Sequence, residues 1–69
     1  MINKNIAVIG AGSWGTALSI YLANRFEQVS LWVYEKELCD QMLQERENTW
    51  YLPGFSLPEN ITPSNSIEN

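Results

Sequence analysis

The sequence predicts an α/β fold: the first βαβ portion of a doubly wound parallel sheet, incomplete in this chain. Three observations predict it: a short apolar run at 5–9, a glycine-rich turn at 10–15 and a second apolar run at 29–33. Short β-branched runs of this kind are typical of buried parallel strands. Because apolar residues recur at helical spacing between the two runs, we expect a strand, a turn, a helix and a second strand in that order.

The turn carries glycine at positions 10, 12 and 15, which is the spacing of the Rossmann-type dinucleotide fingerprint. Gly10 permits the tight turn after the strand, Gly12 lets the backbone approach a pyrophosphate, and Gly15 lets the helix pack closely on the sheet. The first amides of the helix have no intrahelical acceptor and lie at the positive end of its dipole, so they can bind phosphate. The pattern therefore predicts a dinucleotide-binding turn, and the alternative is a glycine-rich turn in an ordinary βαβ unit.

The first helix is expected to place one set of side chains on a common side, with the stem of Arg25 covering apolar neighbours. That set is Leu18, Tyr21, Leu22 and Arg25. After the second strand, Glu35 stands at the offset of roughly twenty residues that the fingerprint requires. An acidic residue at this place accepts hydrogen bonds from a ribose.

A second helix is predicted at 36–46, where apolar residues again recur at helical spacing, and it should cover one face of the sheet. Residues 47–60 contain two prolines, one glycine and three aromatic residues, which indicates an ordered loop. Pro53-Gly54 suits the central positions of a type II turn. A third short strand is expected from Ile61, and residues 63–69 offer caps for another helix.

Length and charge exclude several classes of function. A nucleotide-dependent dehydrogenase needs a whole doubly wound sheet, so we expect 1–69 to be the amino-terminal part of a dinucleotide-binding domain, with the remainder and a catalytic domain absent from this chain. The net charge is -4 and there is no histidine, which argues against nucleic acid or an anionic membrane as partners. We expect a cytoplasmic protein, no metal site, and Cys39 as a small core hydrophobe.

Three blocks of the sequence resemble the bacterial NAD(P)-dependent sn-glycerol-3-phosphate dehydrogenase family. They are the glycine turn with its continuation to Leu18, the Leu31-Trp32 pair, and the Asn48-Thr49-x-Tyr51-Leu52-Pro53-Gly54 block that continues to Ile61. The resemblance implies reversible hydride transfer between a nicotinamide cofactor and dihydroxyacetone phosphate, giving glycerol 3-phosphate for phospholipid synthesis. We also expect the full-length protein to be a homodimer.

The resemblance also implies roles for individual residues. Ser13 and Trp14 fall where the family contacts the diphosphate, Tyr34 and Glu35 where it holds the adenosine ribose, and Tyr51 near that edge of the cofactor. The predicted cofactor-binding residues are therefore Gly10, Gly12, Ser13, Trp14, Gly15, Tyr34, Glu35 and Tyr51. The alternatives are a hydrophobic lid for Trp14 and loop packing for Trp50 and Tyr51.

Cofactor choice depends on Glu35. Family members that favour NADPH tend to carry a basic residue there, whereas a carboxylate accepts the ribose hydroxyls and repels a 2′-phosphate. The cofactor is thus NAD or NADP, with NAD favoured, and Lys36 next door can reduce the preference. No catalytic residue is predicted, because Lys4 and Lys36 lie at no matching motif.

Other interpretations stay open at this point. A 3-hydroxyacyl-CoA or UDP-sugar dehydrogenase shares the glycine fingerprint, and a non-catalytic NAD(H)-sensing module also binds the dinucleotide. A truncated product with an exposed sheet edge is a third alternative. Part of the apolar surface of an isolated unit should lack cover, with Leu31, Trp32 and Val33 as candidates.

Overall fold

The computed structural model describes residues 3–66, which form a parallel βαβαβ unit with a small hairpin beside it. The elements in chain order are β1 (Asn3–Ile9), α1 (Ser13–Leu22), β2 (Phe26–Trp32), α2 (Lys36–Glu45), β3 (Glu47–Asn48), β4 (Leu52–Ser56) and β5 (Ile61–Ser64). The predicted α/β class and the third strand from Ile61 are confirmed. The predicted second strand at 29–33 begins three residues earlier in the structure and ends one residue earlier.

Strands β1, β2 and β5 form one parallel sheet, with β2 in the centre. Val8 lies opposite Leu31, and Val29 lies opposite Ile61. Parallel neighbours need crossover connections, and α1 and α2 supply them. The carboxyl ends of β1 and β2 therefore lie at the same edge of the sheet, next to the starts of both helices.

The core lies on one face of this sheet. Its buried members from the strands, from the residue that follows β2 and from α2 are Val8, Val29, Leu31, Ile61, Val33, Leu38, Cys39 and Met42. Ile20 and Leu22 of α1 pack against the same core, so both helices cover one face. The opposite face of the sheet carries exposed side chains such as Ile9, which is 73% exposed.

Two expectations about apolar surface are wrong. Leu31 and Val33 were expected to lack cover, but both are fully buried because they point toward the face that α2 covers. Trp32, which alternates with them along the strand, is half-buried. The exposed apolar surface of the sheet lies instead at Ile9, at the end of β1.

The side chains predicted to share one side of α1 differ in their burial, since Leu22 packs against the core whereas Tyr21 is 53% exposed. The buried residues of α1 are Thr16 and Ser19. Arg25 follows the end of the helix, and its guanidinium carbon lies 5.3 Å from the centre of the Tyr21 ring. The hydroxyls of the two buried residues donate to backbone carbonyls, that of Thr16 to Ala11 and that of Ser19 to Gly15.

Residues 47–60 contain a hairpin where the sequence predicted a loop. Strands β3 and β4 are antiparallel, with Glu47 opposite Ser56 and Asn48 opposite Leu52, and the register shifts between the two pairs. Gly54 has the predicted positive φ, 93°. However, Pro53 and Gly54 lie inside β4, within the irregular stretch of the ladder, and not in a connection between elements.

The helix α2 agrees with its predicted bounds to within one residue. It ends at Glu45 because Arg46 adopts the left-handed conformation, with φ 58°. The predicted helix at 63–69 is not found in its described part, since 63–64 belong to β5 and 65–66 to no helix or strand; the rest of it lies outside the described residues. Among the residues described, neither helix is long and apolar enough to cross a membrane.

Candidate dinucleotide-binding site

The three glycines of the turn have different surroundings. Gly10 has a φ of 104°, a conformation that other residues rarely adopt. A Cβ on Gly10 or Gly12 would meet no atom within 4 Å, so the space beside both is open. A Cβ on Gly15 would overlap the carbonyl oxygen of Gly10. Gly15 therefore permits the close approach of α1, while Gly10 and Gly12 leave the surface of the turn free for a ligand.

The start of α1 has the properties of an anion site. Gly12 is the N-cap, no side chain caps the helix, and its first turn has no acidic residue. The first intrahelical bond runs from the amide of Thr16 to the carbonyl of Gly12, at 3.0 Å. The amides of residues 13–15 precede it and have no acceptor inside the helix. These donors and the helix dipole favour a phosphate group.

An open groove of about 610 Å³ runs along β1 and the start of α1. It is lined by Ile6, Ala7, Val8, Ile9, Gly10, Gly12, Ser13, Trp14, Gly15, Leu18 and Leu22. Trp14 is 77% exposed, so the alternative of a hydrophobic lid packed on the sheet is wrong. The groove brings the predicted phosphate-binding turn next to an apolar wall.

Three predicted site residues from separate elements lie together. The Ser13 hydroxyl donates to the carbonyl of Tyr51 at 2.6 Å, and the Tyr51 hydroxyl donates to Oε2 of Glu35 at 3.3 Å. The negative charge of Glu35, and secondly this hydrogen bond, raises the pKa of Tyr51 above its usual value. Glu35 is the N-cap residue of α2, so it is placed by the end of β2. The structure thus joins the glycine turn to the acidic position of the fingerprint.

Tyr34 has different neighbours from Ser13, Tyr51 and Glu35. Its side chain is 75% exposed, and its ring meets Trp32 edge-on with 5.9 Å between ring centres. The carbonyl of Tyr34 accepts a hydrogen bond from the Asn65 amide. Tyr34 lies beside Glu35 in the chain, but the contacts of its ring are with β2.

Two buried polar residues lie behind the turn, Asn48 and Thr16, and neither role was predicted from the sequence. Both are fully buried. The Asn48 side-chain amide donates to the carbonyl of Ala11 at 2.7 Å and to the Thr16 hydroxyl at 2.8 Å. Its oxygen accepts the backbone amide of Tyr51 at 3.0 Å. Asn48 begins the Asn-x-x-Tyr block, which is the one signal for it in the sequence. Its burial depends on the contact with Ala11, which lies 37 residues away in the chain.

Cys39 lies in the core and away from this site. It is 3% exposed, and burial together with the charge of Asp40 raises the pKa of its thiol. This environment fits the predicted small hydrophobe. Within residues 3–66, no group of three or more potential metal-ligating side chains comes together.

Comparison with known proteins assigns the chain to a family. The family model for the NAD-dependent glycerol-3-phosphate dehydrogenase N-terminus matches residues 5–69. The chain belongs to this family. Its fold is accordingly that of the amino-terminal part of this family, and the assignment decides against the 3-hydroxyacyl-CoA and UDP-sugar dehydrogenase alternatives.

Two bacterial relatives carry the name of this family. Glycerol-3-phosphate dehydrogenase [NAD(P)+] of Desulfotalea psychrophila is 51% identical over 67 residues, which are 97% of this chain and 20% of that protein. The Bacillus cereus (strain G9842) protein of the same name is 48% identical over 63 residues, 91% of this chain and 18% of its own length. The chain therefore spans about a fifth of the length of these glycerol-3-phosphate dehydrogenases.

Solved structures show the same fold. The crystal structure of glycerol-3-phosphate dehydrogenase from Coxiella burnetii superposes with a TM-score of 0.87 at 42% identity, covering 94% of this chain and 20% of that one. Glycerol-3-phosphate dehydrogenase of Plasmodium falciparum gives a TM-score of 0.81 at 29% identity, covering 96% and 21%. The arrangement of strands and helices is thus that of the family.

Proposed function

We propose that the full-length protein carrying this segment is a dehydrogenase that reversibly reduces dihydroxyacetone phosphate to sn-glycerol 3-phosphate with NAD(P)H. In this proposal residues 1–69 hold the dinucleotide. The observation that carries it is the uncapped start of α1 beside the Ser13–Tyr51–Glu35 contacts, within a chain that belongs to this family.

The residues of the turn fit a diphosphate. The amides of Ser13 and Trp14 are donors at the positive end of the helix, and Gly12 leaves open space in front of them. The Ser13 hydroxyl donates to the carbonyl of Tyr51 and would exchange that bond for one to the diphosphate when the dinucleotide binds. The absence of an acidic residue from the first turn means that no fixed negative charge opposes the ligand there. Gly10 and Gly15 act through the backbone, since one permits the turn and the other the close packing of α1.

The other end of the site fits the adenosine ribose. Glu35, at the end of β2, presents a carboxylate that can accept ribose hydroxyls, and the Tyr51 hydroxyl orients it. Tyr34 is exposed beside it and is assigned to the same edge of the cofactor. Because a carboxylate repels a second phosphate, we propose NAD as the preferred cofactor over NADP.

The bound nicotinamide supplies or accepts the hydride, while this segment binds and orients the dinucleotide. We assign no catalytic residue to the segment, and Lys36 pairs with Asp40 at 3.1 Å on the exposed side of α2. A group that polarises the substrate carbonyl and relays a proton is therefore assigned to the rest of the full-length protein. We further propose a cytoplasmic homodimer whose product is used in glycerophospholipid synthesis.

An assay of the full-length protein tests the proposal. Dihydroxyacetone phosphate should accelerate the oxidation of NADH, and glycerol 3-phosphate should support the reduction of NAD. The kcat/KM for NADP should be lower than that for NAD. An NAD(H)-sensing module would bind NADH with the same turn but leave it unchanged in the presence of dihydroxyacetone phosphate. Binding without turnover would therefore contradict the proposed reaction.

A further inference from the structure

We infer that Asn48 is a positioning residue of the dinucleotide site, which fixes the peptide between Ala11 and Gly12 and thereby aims the Gly12 amide at the phosphates. The inference rests on the proposed function, because it names a residue that supports the same site. Asn48 itself lies behind the turn and is fully buried, so it has no access to a ligand.

The first step concerns the Ala11 carbonyl. It accepts one hydrogen bond from the Asn48 side-chain amide at 2.7 Å and one from the Thr16 hydroxyl at 3.3 Å. All the groups involved are buried, since Ala11 is 4% exposed and the two side chains are fully buried. A buried carbonyl that loses its donors is costly, so these bonds hold the carbonyl on the core side of the turn.

The second step follows from the geometry of the peptide. The carbonyl of Ala11 and the amide of Gly12 belong to the same planar unit, and in a trans peptide they point in opposite directions. With the carbonyl held toward Asn48, the Gly12 amide points away from the core. This peptide rotates about ψ of Ala11 and φ of Gly12, and glycine at position 12 tolerates many values of φ. A side chain that fixes the peptide is therefore needed here.

The third step joins the turn to the ribose end of the site. The oxygen of the same Asn48 side chain accepts the Tyr51 amide at 3.0 Å, and Tyr51 in turn contacts Ser13 and Glu35. Only an amide side chain offers two donor hydrogens and an acceptor at once. Aspartate lacks the donors, and an aliphatic residue lacks both. Asn48 thus fixes the position of the glycine turn relative to the segment at Tyr51.

The experiment compares NADH binding by the wild-type full-length protein with binding by Asn48→Ala and Asn48→Asp, using nicotinamide fluorescence. Asn48→Ala should weaken NADH binding about tenfold, which corresponds to about 1.4 kcal/mol. Asn48→Asp can still accept the Tyr51 amide but cannot donate to Ala11 as a carboxylate, so it should weaken binding at least as much. The KM for NADH should rise in both variants while the KM for dihydroxyacetone phosphate stays unchanged.

Asn60 provides a matched control for loss of stability alone. Its side-chain amide also donates two hydrogen bonds to backbone carbonyls, those of Ala23 at 2.8 Å and Phe26 at 3.0 Å. The carbonyl of Ala23 directly follows α1 and that of Phe26 begins β2, so neither belongs to the glycine turn. Asn60→Ala should lower the melting temperature and leave the Kd for NADH unchanged. Equal weakening of NADH binding by Asn60→Ala and Asn48→Ala would overturn the inference.

Thr16→Val keeps the test decisive if Asn48→Ala does not fold. This variant removes one of the two donors to Ala11 and should weaken NADH binding, though less than loss of Asn48. Wild-type affinity in Thr16→Val and in either folded Asn48 variant would overturn the positioning role. A wild-type protein that binds NADH but does not reduce dihydroxyacetone phosphate would contradict the proposed reaction, while the comparison of affinities would still decide the role of Asn48.

Discussion

Gly15 has no room for a side chain, because a Cβ on it would overlap the backbone carbonyl oxygen of Gly10. The first turn of α1 therefore lies directly against the turn that follows β1. Gly12 lies between Gly10 and Gly15 in the sequence, and it has open space beside it and an ordinary φ of -71°. Gly10 and Gly15 are therefore required by the fold, whereas Gly12 leaves space for a ligand.

Gly15→Ala is expected to destabilise the full-length protein. The added methyl group forces backbone atoms apart, and changes of this kind cost about 1–3 kcal/mol. Gly12→Ala is the matched control, since its methyl group enters open space and its backbone angles suit any residue. Denaturant titration measures the free energy of unfolding of both variants. Equal stability would mean that α1 does not approach the turn as closely as described.

Glu35→Arg should shift the cofactor preference of the full-length protein toward NADP. The substitution removes a repulsive carboxylate and adds a donor that can form two bonds to a phosphate, which together are worth about 2 to 4 kcal/mol. The measurement is the ratio of kcat/KM for the two cofactors before and after substitution. A ratio that changes by less than about twofold, or 0.4 kcal/mol, would show that Glu35 does not face the ribose.

The Tyr51 phenol should titrate above its usual pKa of 10.0, because the charge of Glu35 and the hydrogen bond to it oppose formation of a phenolate. A group with a raised pKa in the folded state stabilises the fold below its unfolded pKa, and that contribution is lost as pH rises through the raised value. Glu35→Gln removes the charge and should bring the pKa of Tyr51 down. Ring-carbon NMR titration, assigned with Tyr51→Phe, measures it. An unchanged pKa in Glu35→Gln would contradict the contact.

Much of the parallel unit follows from local patterns in the sequence. Runs of apolar residues predict β1 and β2, a third short strand is expected from Ile61, and helical spacing predicts α2 to within one residue. The glycine spacing predicts the turn, and Gly10 and Gly15 occupy the conformations that their positions require. These features depend on neighbours in the chain, so the sequence carries a strong signal for them.

Features decided by distant contacts were not predicted. The hairpin of β3 and β4 has two residue pairs and an irregular register, so its local pattern resembles a loop. Thr16 and Ser19 are the buried residues of α1, although Leu18 is more apolar, and the Thr16 hydroxyl donates to the carbonyl of Ala11 and accepts from the side chain of Asn48. The burial of Asn48 depends on partners in the glycine turn, which no local pattern encodes.

The isolated segment 1–69 should be inactive. It is expected to show no reduction of dihydroxyacetone phosphate, because no group in it is assigned to polarise the carbonyl. Its Kd for NADH should be weaker than about 1 mM, or less than roughly 4 kcal/mol of binding free energy. Because β1 is an open sheet edge and Ile9 and Trp14 are exposed, self-association is also expected. Sedimentation and an NADH oxidation assay test both points, and a monomeric, active peptide would contradict them.

Titration of NADH with the Gly12→Val full-length protein tests most directly that this turn holds the dinucleotide. A Cβ on Gly12 meets no atom of the protein within 4 Å, so the branched side chain enters the open space in front of the α1 amides. We predict that NADH binding, followed by nicotinamide fluorescence, weakens by several kcal/mol while the melting temperature of the protein is retained. Unchanged NADH affinity in a folded Gly12→Val protein would contradict the assignment of the glycine turn as the diphosphate site.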